Sequence, residues 1–349
     1  MDEEKSDKYF RILLAFLAFI LILTGAEVAW FKLIKPATFF VQDSGEQKNI
    51  IQTVAPEVPA AEEIKKATTT LMFVGDIMLS RAVGDKMKKL NDWNWPFEKI
   101  AEYLVSADLL FGNLEGPISA RGRNVGSEYS FRADPDAVEG LKYAGFDVLS
   151  VANNHIGDWT KDAMEDTFAI LKKNGIEHAG AGANSHEAHS AKIKEVNGIK
   201  FGFLAYTALG AKYTEAQASS SGVAWLDKEK MIEDITEAKK SSDVLIVSLH
   251  FGEEYKQKSN LLQQDIAHAA IDAGASLVIG HHPHVVEEAE QYRGGFIAYS
   301  LGNFIFDQSF SKETMQGLLL KVSFEGMDIK NIEPVSINIS REFQASVGQ

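Results

Sequence analysis

Short apolar runs that end in polar residues recur along this chain, and they restrict its fold more than any other feature. They are TTLMFVGD at 69–76, ADLLFGNLE at 107–115, FDVLSVANNH at 146–155, IKFGFLAYT at 199–207, DVLIVSLH at 243–250, ASLVIGHH at 275–282 and GFIAYSLGN at 295–303. Runs of this length, bounded by Gly, Asp, Asn or His, are typical of strands buried on both faces. A sheet made from such strands has to be covered on both sides.

Helical patterns lie between several of these runs. They cover residues 135–144, 160–174, 227–240 and 261–273. Strands that alternate with helices predict an α/β fold with a largely parallel sheet. The Asn197–Gly198 pair predicts a hairpin, and residues 292–295 predict a second one. The alternating segment 317–339 predicts one or two further strands.

Composition excludes several classes of site. The chain has no cysteine, which excludes disulfides, thiolate metal ligands, a cysteine nucleophile and a lipid anchor on cysteine. The formal net charge is -14 and the body of the chain has no run of Lys or Arg, so no nucleic-acid partner is expected. A hydrophobic fraction of 45% is sufficient for a sizeable core.

An apolar N-terminal segment sets the expected location. Residues 12–34 begin with ILLAFLAFILIL, and Trp30 and Phe31 suit a membrane interface. We predict a single-pass transmembrane anchor at 12–34, after a cytoplasmic N-terminus at 1–11, with the main domain outside the cytoplasm. A cleaved signal peptide and a buried core helix are the alternatives. The flanking charges do not fix the orientation, because both signs occur on the N-terminal side.

The segment between the anchor and the main domain changes in character. Residues 35–68 are rich in Gln, Glu, Ala, Pro and Lys, and no period of strand or helix dominates. This composition predicts a stalk that is partly extended at its prolines. The main domain is predicted at 69–340, with a C-terminal tail at 341–349.

Residues able to bind metal follow strand after strand. They are Asp76, Asn113, Glu115, Asn153, Asn154, His155, His250, His281, His282 and His284. Ligands of open α/β sheets bind outside the carboxyl ends of the strands, where loops from separate strands converge. Each residue alone also fits a turn, a cap or a satisfied buried histidine, but together they predict one polar, metal-type site.

The histidine cluster around Pro283 is the strongest local signal. On extended backbone, a His-x-His pair directs both rings to the same side, so His282 and His284 are predicted to reach one centre. Imidazoles combined with carboxylates and an amide oxygen suit Zn, Mn, Fe or Ni better than Ca.

Six motifs give the chain a resemblance to the CapA family of bacterial capsule and poly-γ-glutamate synthesis proteins. They are GDIMLSR, GNLEGPIS, SVANNHIGD, SLHFGEEY, GHHPHVVE and YSLGNFIFD, in that order between residues 71 and 307. The family is similar to the calcineurin-like metallophosphoesterases. The resemblance implies a four-layer αββα sandwich with a dinuclear metal site between the strand ends, in a protein of the bacterial cell membrane.

The resemblance also implies roles for single residues. The implied ligands of two divalent ions, Mn, Zn or Fe, are Asp76, Asn113, Glu115, Asn154, His250, His282 and His284. His155 is implied near the scissile phosphate, and Asp158 is expected to orient its imidazole. Substrate contacts are expected from Arg81, Asn153, Glu254 and Asn303.

The chain departs from the phosphoesterase pattern at four positions. Met78 stands where a ligand His is usual, and Asn113 stands where a bridging Asp is usual. Glu115 is the carboxylate expected to supply the missing charge. Trp159 and Glu287 stand where Tyr and Gln are common, which bears on substrate contacts more than on the metal site.

Two functions fit this sequence. The first is a metal-dependent hydrolase that cleaves a phosphoester, or an amide or ester link in an anionic polymer, with His155 as general acid. The second is a non-catalytic subunit that binds or guides a polymer such as poly-γ-glutamate beside a membrane synthase. Met78 and Asn113 favour the second function, and the intact histidine set favours the first.

The acidity of the chain bears on either substrate. An acidic domain attracts an anionic polymer poorly unless metal and nearby arginines offset the charge locally. The candidate arginines are Arg81, Arg121, Arg123 and Arg132.

Overall fold

The computed structural model describes residues 68–348. The predicted N-terminus, the predicted anchor and all but the last residue of the predicted stalk lie outside the described residues. Within 68–348, no helix combines the length and apolarity needed to cross a bilayer.

The described chain alternates strands and helices. The strands are β1 (Thr68–Ile77), β2 (Leu109–Leu114), β3 (Val148–Ser150), β4 (Glu177–Ala179), β5 (Ala181–Gly182), β6 (Lys192–Val196), β7 (Ile199–Thr207), β8 (Gly222–Val223), β9 (Val244–His250), β10 (Leu277–His281), β11 (Ala289–Tyr292), β12 (Gly295–Ala298), β13 (Asn303–Ile305), β14 (Gln316–Glu325), β15 (Asp328–Ile339) and β16 (Ala345–Val347). The α-helices are α1 (Arg81–Leu90), α2 (Ala101–Leu104), α3 (Val138–Ala144), α4 (Thr160–Lys173), α5 (Ser185–Ala188), α6 (Lys228–Ala238) and α7 (Leu261–Ala273). Short 3-10 turns cover Trp95–Phe97, Pro135–Ala137, Lys212–Thr214 and Glu313–Met315.

Two mixed sheets form the body of the domain. The first has eight strands in the order β16-β15-β14-β1-β2-β3-β4, with β13 paired to β1. The second has six strands in the order β11-β12-β10-β9-β7-β6. The neighbours β1 to β4 are parallel, as are β12, β10, β9 and β7, whereas the hairpins at the edges are antiparallel. The largely parallel sheet predicted from the sequence is thus two sheets, each with a parallel centre.

The two sheets pack on each other, and helices cover the second sheet on its other side. Phe111 of β2 stacks on Phe203 of β7 with ring centroids 5.6 Å apart. The next residue, Leu204, belongs instead to a second apolar cluster with Ile235 of α6 and Ile266 of α7. Successive side chains of a strand point to opposite faces, so β7 is apolar on both. This double burial explains the unbroken apolar runs.

Positive backbone angles confirm the two predicted hairpins. Asn197 and Gly198 have φ 52° and 79° between β6 and β7. Arg293 and Gly294 have φ 46° and 88° between β11 and β12. Two-residue turns with both φ values positive match the twist of the strands that they join.

The run at 295–303 is not one strand. β12 ends at Ala298 in the second sheet, and the chain then crosses to the first sheet, where Asn303 of β13 pairs with Asp76. Gly302, with φ 66°, lies at this crossing. The structure also extends the first sheet into the predicted tail at 341–349, because β16 pairs with β15 and buries Ala345.

Candidate metal centre and catalytic site

The carboxyl ends of strands from both sheets meet at one edge. Asp76 at the end of β1 is paired with Asn113 of β2, and His250 of β9 is paired with His281 of β10. Two groups of metal-type ligands result, and within each group the ligand atoms lie within 4.8 Å of one another. The first group is Asp76, Glu115 and His250, and the second is Glu254, His282 and His284.

The fully buried carboxylate of Asp76 is the hub of this edge. Its Oδ1 accepts a hydrogen bond from Asn113 Nδ2 at 2.9 Å and lies 3.1 Å from His281 Nδ1. Its Oδ2 lies 3.2 Å from the His282 amide nitrogen and 3.4 Å from His284 Nδ1. Burial opposes the charged form, but the hydrogen bonds from His281 and His284 hold the pKa of Asp76 well below its ordinary value.

Glu115 is a second buried carboxylate, and its environment is the opposite. Burial, together with the negative charge of Asp76, raises the pKa of Glu115 well above its ordinary value. Its Oε2 is buried and has no hydrogen-bond partner among residues 68–348. This oxygen is therefore an unused ligand atom.

His250 is held as a neutral imidazole. Burial and the neighbouring His282 hold its pKa well below its ordinary value. Its Nε2 lies 2.8 Å from Asn154 Oδ1, an oxygen that only accepts, so Nε2 carries the hydrogen and Nδ1 keeps the lone pair. The amide of Asn154 thus orients His250.

His282 and His284 meet at the site by a different route from the one predicted. They are not on extended backbone, because φ is 100° at His282 and 59° at His284, and left-handed conformations of this kind are strained for residues with a Cβ. Their ring centroids are nevertheless 5.9 Å apart. The loop after β10, and not the alternation of a strand, brings the pair together.

The two rings differ in charge. Burial and the charge of His284 lower the pKa of His282 to about 3. Burial also disfavours the charged form of His284, but Glu115 and the hydrogen bond to Asp76 raise the pKa of His284 to about 9. Proton and cation compete for the same nitrogen atoms in such a cluster.

These residues fit a bound divalent cation. Besides the Glu115 oxygen, His281 Nε2 and His282 Nδ1 are buried without a hydrogen-bond partner in the described chain. Unpaired buried polar atoms are costly, and a cation bound by the two ligand groups would offer a partner to Glu115 and His282. Imidazole nitrogens with carboxylate oxygens suit Zn, Mn or Fe. Met78, by contrast, is buried with its sulfur accepting from Ser80, and it adds no nitrogen ligand.

A histidine–aspartate pair lies beside these ligands. His155 Nδ1 is 2.8 Å from Asp158 Oδ2, which also accepts from the Phe131 amide at 2.9 Å. Asp158 Oδ1 accepts from Ser127 Oγ at 3.1 Å. The Phe131 ring lies 4.0 Å from the imidazole. Asp158 therefore fixes the orientation of His155 and leaves its Nε2 as the nitrogen available to a substrate.

The His155–Asp158 pair and two members of the second ligand group, Glu254 and His282, line one cleft, called here the metal cleft. Its volume is about 370 Å³. The lining residues that bear on the chemistry are Glu128, Asn154, His155, Asp158, Glu254 and His282.

Three of the expected substrate contacts are engaged within the protein. Asn153 donates to the Leu114 carbonyl at 2.7 Å, and its side-chain oxygen accepts from the His155 amide. The Asn303 oxygen lies 3.0 Å from His284 Nδ1. Both amides are buried, so they position the histidines where substrate contact had been expected.

Arg81 also differs from its expected role as a free anion contact. It forms an ion pair with Asp307 at 3.1 Å. Its guanidinium lies 5.4 Å from the centre of the Phe131 ring, which packs on His155. Glu254 does line the cleft, and the structure groups it with the metal-type ligands.

Sequence reasoning missed two kinds of site residue. The sequence indicates that His281 is a strand-end histidine but not that it contacts Asp76. Its position as the last residue of β10 is the signal that points to the site. Ser127 and Phe131, which hold Asp158, lie in a loop without a motif. Only the folded chain brings that loop to the site.

The model of the family described as "Bacterial capsule synthesis protein PGA_cap" matches residues 70–308. The chain belongs to this family. A PGA biosynthesis protein CapA from Bacillus subtilis is 32% identical over 294 residues, covering 83% of this chain and 77% of the relative. The capsule biosynthesis protein CapA of Bacillus anthracis is 31% identical over 281 residues, covering 77% of this chain and 67% of the relative.

Solved structures also resemble this chain. The NAD nucleotidase of Haemophilus influenzae aligns with a TM-score of 0.43 at 11% identity, covering 81% of this chain and 54% of that chain. A 5'-nucleotidase precursor from Thermus thermophilus aligns with a TM-score of 0.39 at 11% identity, covering 80% of this chain and 54% of that chain.

The candidate site residues from Asp76 to Asn303 all lie inside the segment that matches the capsule synthesis family.

Proposed function

We propose that this protein is a metal-dependent hydrolase of phosphoester type that acts in the synthesis of a bacterial capsule of poly-γ-glutamate or a similar anionic polymer. The observation that carries the proposal is the closeness of two metal-type ligand groups to the His155–Asp158 pair. Glu254 and His282 of the second group line the same cleft as that pair, and His250 of the first group bonds Asn154 in the cleft wall. The names of the relatives supply the pathway, since two of them are CapA proteins of PGA or capsule biosynthesis.

The residues divide into two sets of ligands. Asp76, Glu115 and His250 would hold one divalent cation, and Glu254, His282 and His284 a second. When bound, such a cation supplies Lewis acidity toward a phosphoryl oxygen and lowers the pKa of water. Asn113 and His281 hold Asp76 in place, and Asn154 holds His250.

His155 is the proposed general acid. Its Nδ1–H donates to Asp158, which fixes the orientation of the ring and leaves Nε2 to face the substrate. A water oxygen adds to phosphorus and gives up one proton to solvent, the bond to the leaving oxygen breaks, and the proton on His155 Nε2 passes to that leaving oxygen. The product is a free hydroxyl, and the neutral imidazole regains a proton from solvent. This transfer contributes typically ~10²–10⁴-fold in rate.

Metal content is the first test. We expect at least one equivalent of Mn, Zn or Fe in the full chain purified in mild detergent and measured by elemental analysis. His282→Ala is expected to lower that content, whereas His186→Ala, which removes an exposed histidine outside both ligand groups, is expected to keep it. A metal content below a tenth of an equivalent after incubation with Mn or Zn would reject the proposal of a metal-dependent hydrolase.

Turnover is the second test. With bis-p-nitrophenyl phosphate as the probe, His155→Ala should lower kcat by ~10²-fold or more while the metal content stays unchanged. His186→Ala serves again as the matched control. Equal turnover in wild type and His155→Ala would contradict the assignment of the acid.

A non-catalytic polymer-binding subunit of a membrane synthase is the second candidate. Met78 in place of a ligand histidine and Asn113 in place of a bridging carboxylate favour it, because a neutral amide is a weak bridge between two cations. Under this function the full chain binds poly-γ-glutamate, and no phosphodiester turnover exceeds that of the His155→Ala variant. Turnover therefore separates the two candidates.

We also propose that residues 12–34 anchor the protein in the bacterial cell membrane with residues 69–340 outside the cytoplasm. The apolar run and its interfacial aromatics support this location. Protease added to spheroplasts should digest the main domain without lysis. Digestion only after lysis would reject the orientation, and a shortened N-terminus in the mature protein would indicate a cleaved signal peptide.

A further inference from the structure

Two loops wall the metal cleft on the side of His155. Segments 125–129 and 209–214 both contribute lining residues. In the proposed reaction His155 protonates the leaving oxygen, so the rest of the leaving group has to lie beside this imidazole. This side of the cleft is called here the leaving-group end, and its side chains decide which leaving groups fit.

Hydrogen bonds tie the first loop to the aspartate that orients His155. The Val125 amide donates to the Asp158 carbonyl at 3.0 Å. Ser127 Oγ donates to Asp158 Oδ1 at 3.1 Å. Glu128 and Tyr129 directly follow Ser127 and also line the cleft. These two side chains therefore belong to the leaving-group end.

The second loop is held at the same place through Tyr213. Its hydroxyl donates to the Gly157 carbonyl, two residues after His155. The neighbouring Lys212 places its ammonium group 3.9 Å from the centre of the Trp225 ring and does not line the cleft. The second loop thus presents a tyrosine ring, and no positive charge, to the leaving group.

Large apolar side chains are exposed around the leaving-group end. The exposed fractions are 43% for Val125, 58% for Tyr129 and 45% for Tyr213, and all three residues line the cleft. Exposed apolar side chains that gather at a cleft mark a surface for a ligand. Here the two tyrosines add aromatic faces, which select for more than apolar character.

Glu128 gives the leaving-group end a negative charge. Its exposed side chain forms no ion pair or hydrogen bond with any residue of the described range 68–348. The other two acids of the cleft are engaged, because Asp158 binds His155 and Glu254 belongs to the second ligand group. No Lys or Arg among the described residues lines this cleft. Its unused charge is therefore negative.

A carboxylate next to tyrosine rings suits a ligand with an ammonium group. The face of an aromatic ring attracts an ammonium within about 6 Å of its centroid, and such rings recognise quaternary ammonium ligands. An anionic leaving group would meet the like charge of Glu128, which disfavours it. A neutral planar group would use the rings but not the carboxylate.

We propose that the leaving-group end of the metal cleft binds a small ammonium group, primary or quaternary, with Glu128 as its counter-charge and Tyr129 and Tyr213 as its ring contacts. This inference rests on the proposed function and deepens it, because the substrate class becomes a phosphoester whose leaving alcohol carries an ammonium group. Water supplies the new oxygen on phosphorus and loses one proton to solvent. The bond from phosphorus to the alcohol oxygen breaks, and the alcohol leaves with the proton from His155 Nε2.

A charged ligand and its neutral isostere test this ammonium site. Choline and 3,3-dimethyl-1-butanol have nearly the same shape, but only choline is charged. Each is titrated against the full chain in mild detergent, with NMR saturation transfer to the ligand methyl protons as the signal and protein-free micelles as the blank. Choline is expected to bind at least about fivefold more tightly than the neutral alcohol.

A double variant of the first loop should remove this preference. Glu128→Gln/Tyr129→Leu is expected to weaken choline binding about five- to tenfold, because an exposed charge contact and a ring contact are both lost. The matched control is Glu177→Gln/Tyr143→Leu, which removes the same two groups from exposed positions outside the cleft, in β4 and α3. The control should keep the choline affinity of wild type.

Three outcomes would overturn the ammonium site: equal affinities for choline and the neutral alcohol in wild type, equal weakening of choline binding in both double variants, or unchanged choline affinity in Glu128→Gln/Tyr129→Leu. Choline binding requires no turnover, so these outcomes are distinct from failure of the hydrolase. Absence of metal or of turnover rejects the proposed reaction and leaves the binding data unchanged. Loss of choline selectivity with normal turnover rejects only the ammonium site.

Discussion

Buried carboxyl groups in this protein are held in two opposite states. Hydrogen bonds from two histidines keep Asp76 charged despite complete burial. For Glu115 and Glu287 the opposing interactions are weaker than the effect of burial, which raises the pKa of each. Each raised pKa is a destabilising contribution at neutral pH unless another ligand removes it. For Glu115 that ligand is the proposed cation, whereas Glu287 lies outside both ligand groups.

Replacement of Glu287 by Gln is expected to stabilise the protein at alkaline pH. Burial raises the pKa of Glu287 from 4.5 to about 7, although a hydrogen bond from Gln263 opposes this shift. Between these values the folded chain keeps a proton that the unfolded chain releases. The free energy of unfolding therefore falls as the pH rises from 4.5 to 7, and the loss is complete above 7.

Urea unfolding at pH 5 and pH 8 measures this effect. Glu287→Gln should be more stable than wild type by about 1–3 kcal/mol at pH 8, with a smaller difference at pH 5. Glu288→Gln is the neighbouring control, since its exposed carboxyl has a lowered pKa. If Glu287→Gln raises the free energy of unfolding equally at pH 5 and pH 8, burial of the Glu287 charge does not destabilise the protein as predicted.

Asp158→Asn tests whether this carboxylate positions His155. The amide keeps the size of the side chain but replaces one of the two accepting oxygens with a donor, so the bonds to His155 and to the Phe131 amide are disturbed. We expect kcat to fall ~10²-fold, with an altered pH profile and unchanged metal content. Loss of metal together with turnover would instead indicate a general collapse of the site.

At the scale of elements, the pairing of β1 with β13 brings to the site the segment that arrives from β12 of the second sheet. The Asp76 amide donates to the Gly302 carbonyl at 2.9 Å, and Asp76 pairs with Asn303. Asn303 in turn orients His284. A short strand thus links the first carboxylate and the last histidine of the site.

Gly75→Ala is expected to break this contact. A Cβ at Gly75 would lie 1.9 Å from the Gly302 carbonyl oxygen, so β1 and β13 would have to separate. We expect a loss above ~3 kcal/mol and a loss of metal binding. Gly175→Ala is the control, because its φ of 78° costs only ~1–2 kcal/mol and no atom lies within 4 Å. Similar losses of stability in Gly75→Ala and Gly175→Ala would contradict the proposed clash.

Periodicity and turn chemistry predicted most elements well, with limits that have a physical cause. β7 and α7 have the predicted bounds, because Ile199–Thr207 and Leu261–Ala273 have clear turn or cap residues at their ends. The split of 295–303 was not predicted, since both halves are apolar and only the partner strand decides where one ends.

The site was predictable in composition but not in all its contacts. Asp76, His250 and His284 lie at strand ends or next to them, and chain topology alone brings them together. The left-handed backbone at His282 and the engagement of Asn153 depend on loop packing. Loop packing leaves no periodic signal in a sequence, so these details appear only in the folded chain.

At the scale of the whole molecule, the candidate centre takes ligands from both sheets. Asp76 and Glu115 come from the first sheet, and His250, His282 and His284 come from strands or loops of the second. The unfolded chain has no preformed site, so a cation that binds only the folded protein stabilises it.

Thermal unfolding with and without metal tests this linkage. Mn or Zn at a hundredfold excess over Kd should add ~2.7 kcal/mol and raise Tm by about 5–10 °C. His282→Ala should lose this increase, and His186→Ala should keep it. An unchanged Tm in wild type at saturating metal would argue against any ligand set of this kind.

The origin of the ligands in two sheets also has a consequence for the order of events during folding. Asp76 and His281 are 205 positions apart in the sequence and only 3.1 Å apart in the fold. The first ligand group is divided between the sheets, whereas Glu254, His282 and His284 of the second group all follow strands of the second sheet. A chain whose sheets have not docked would therefore hold the second proposed cation position complete and the first incomplete, and closure of so long a loop is slow. Occupancy of the first position alone would report that the two halves of the protein have docked.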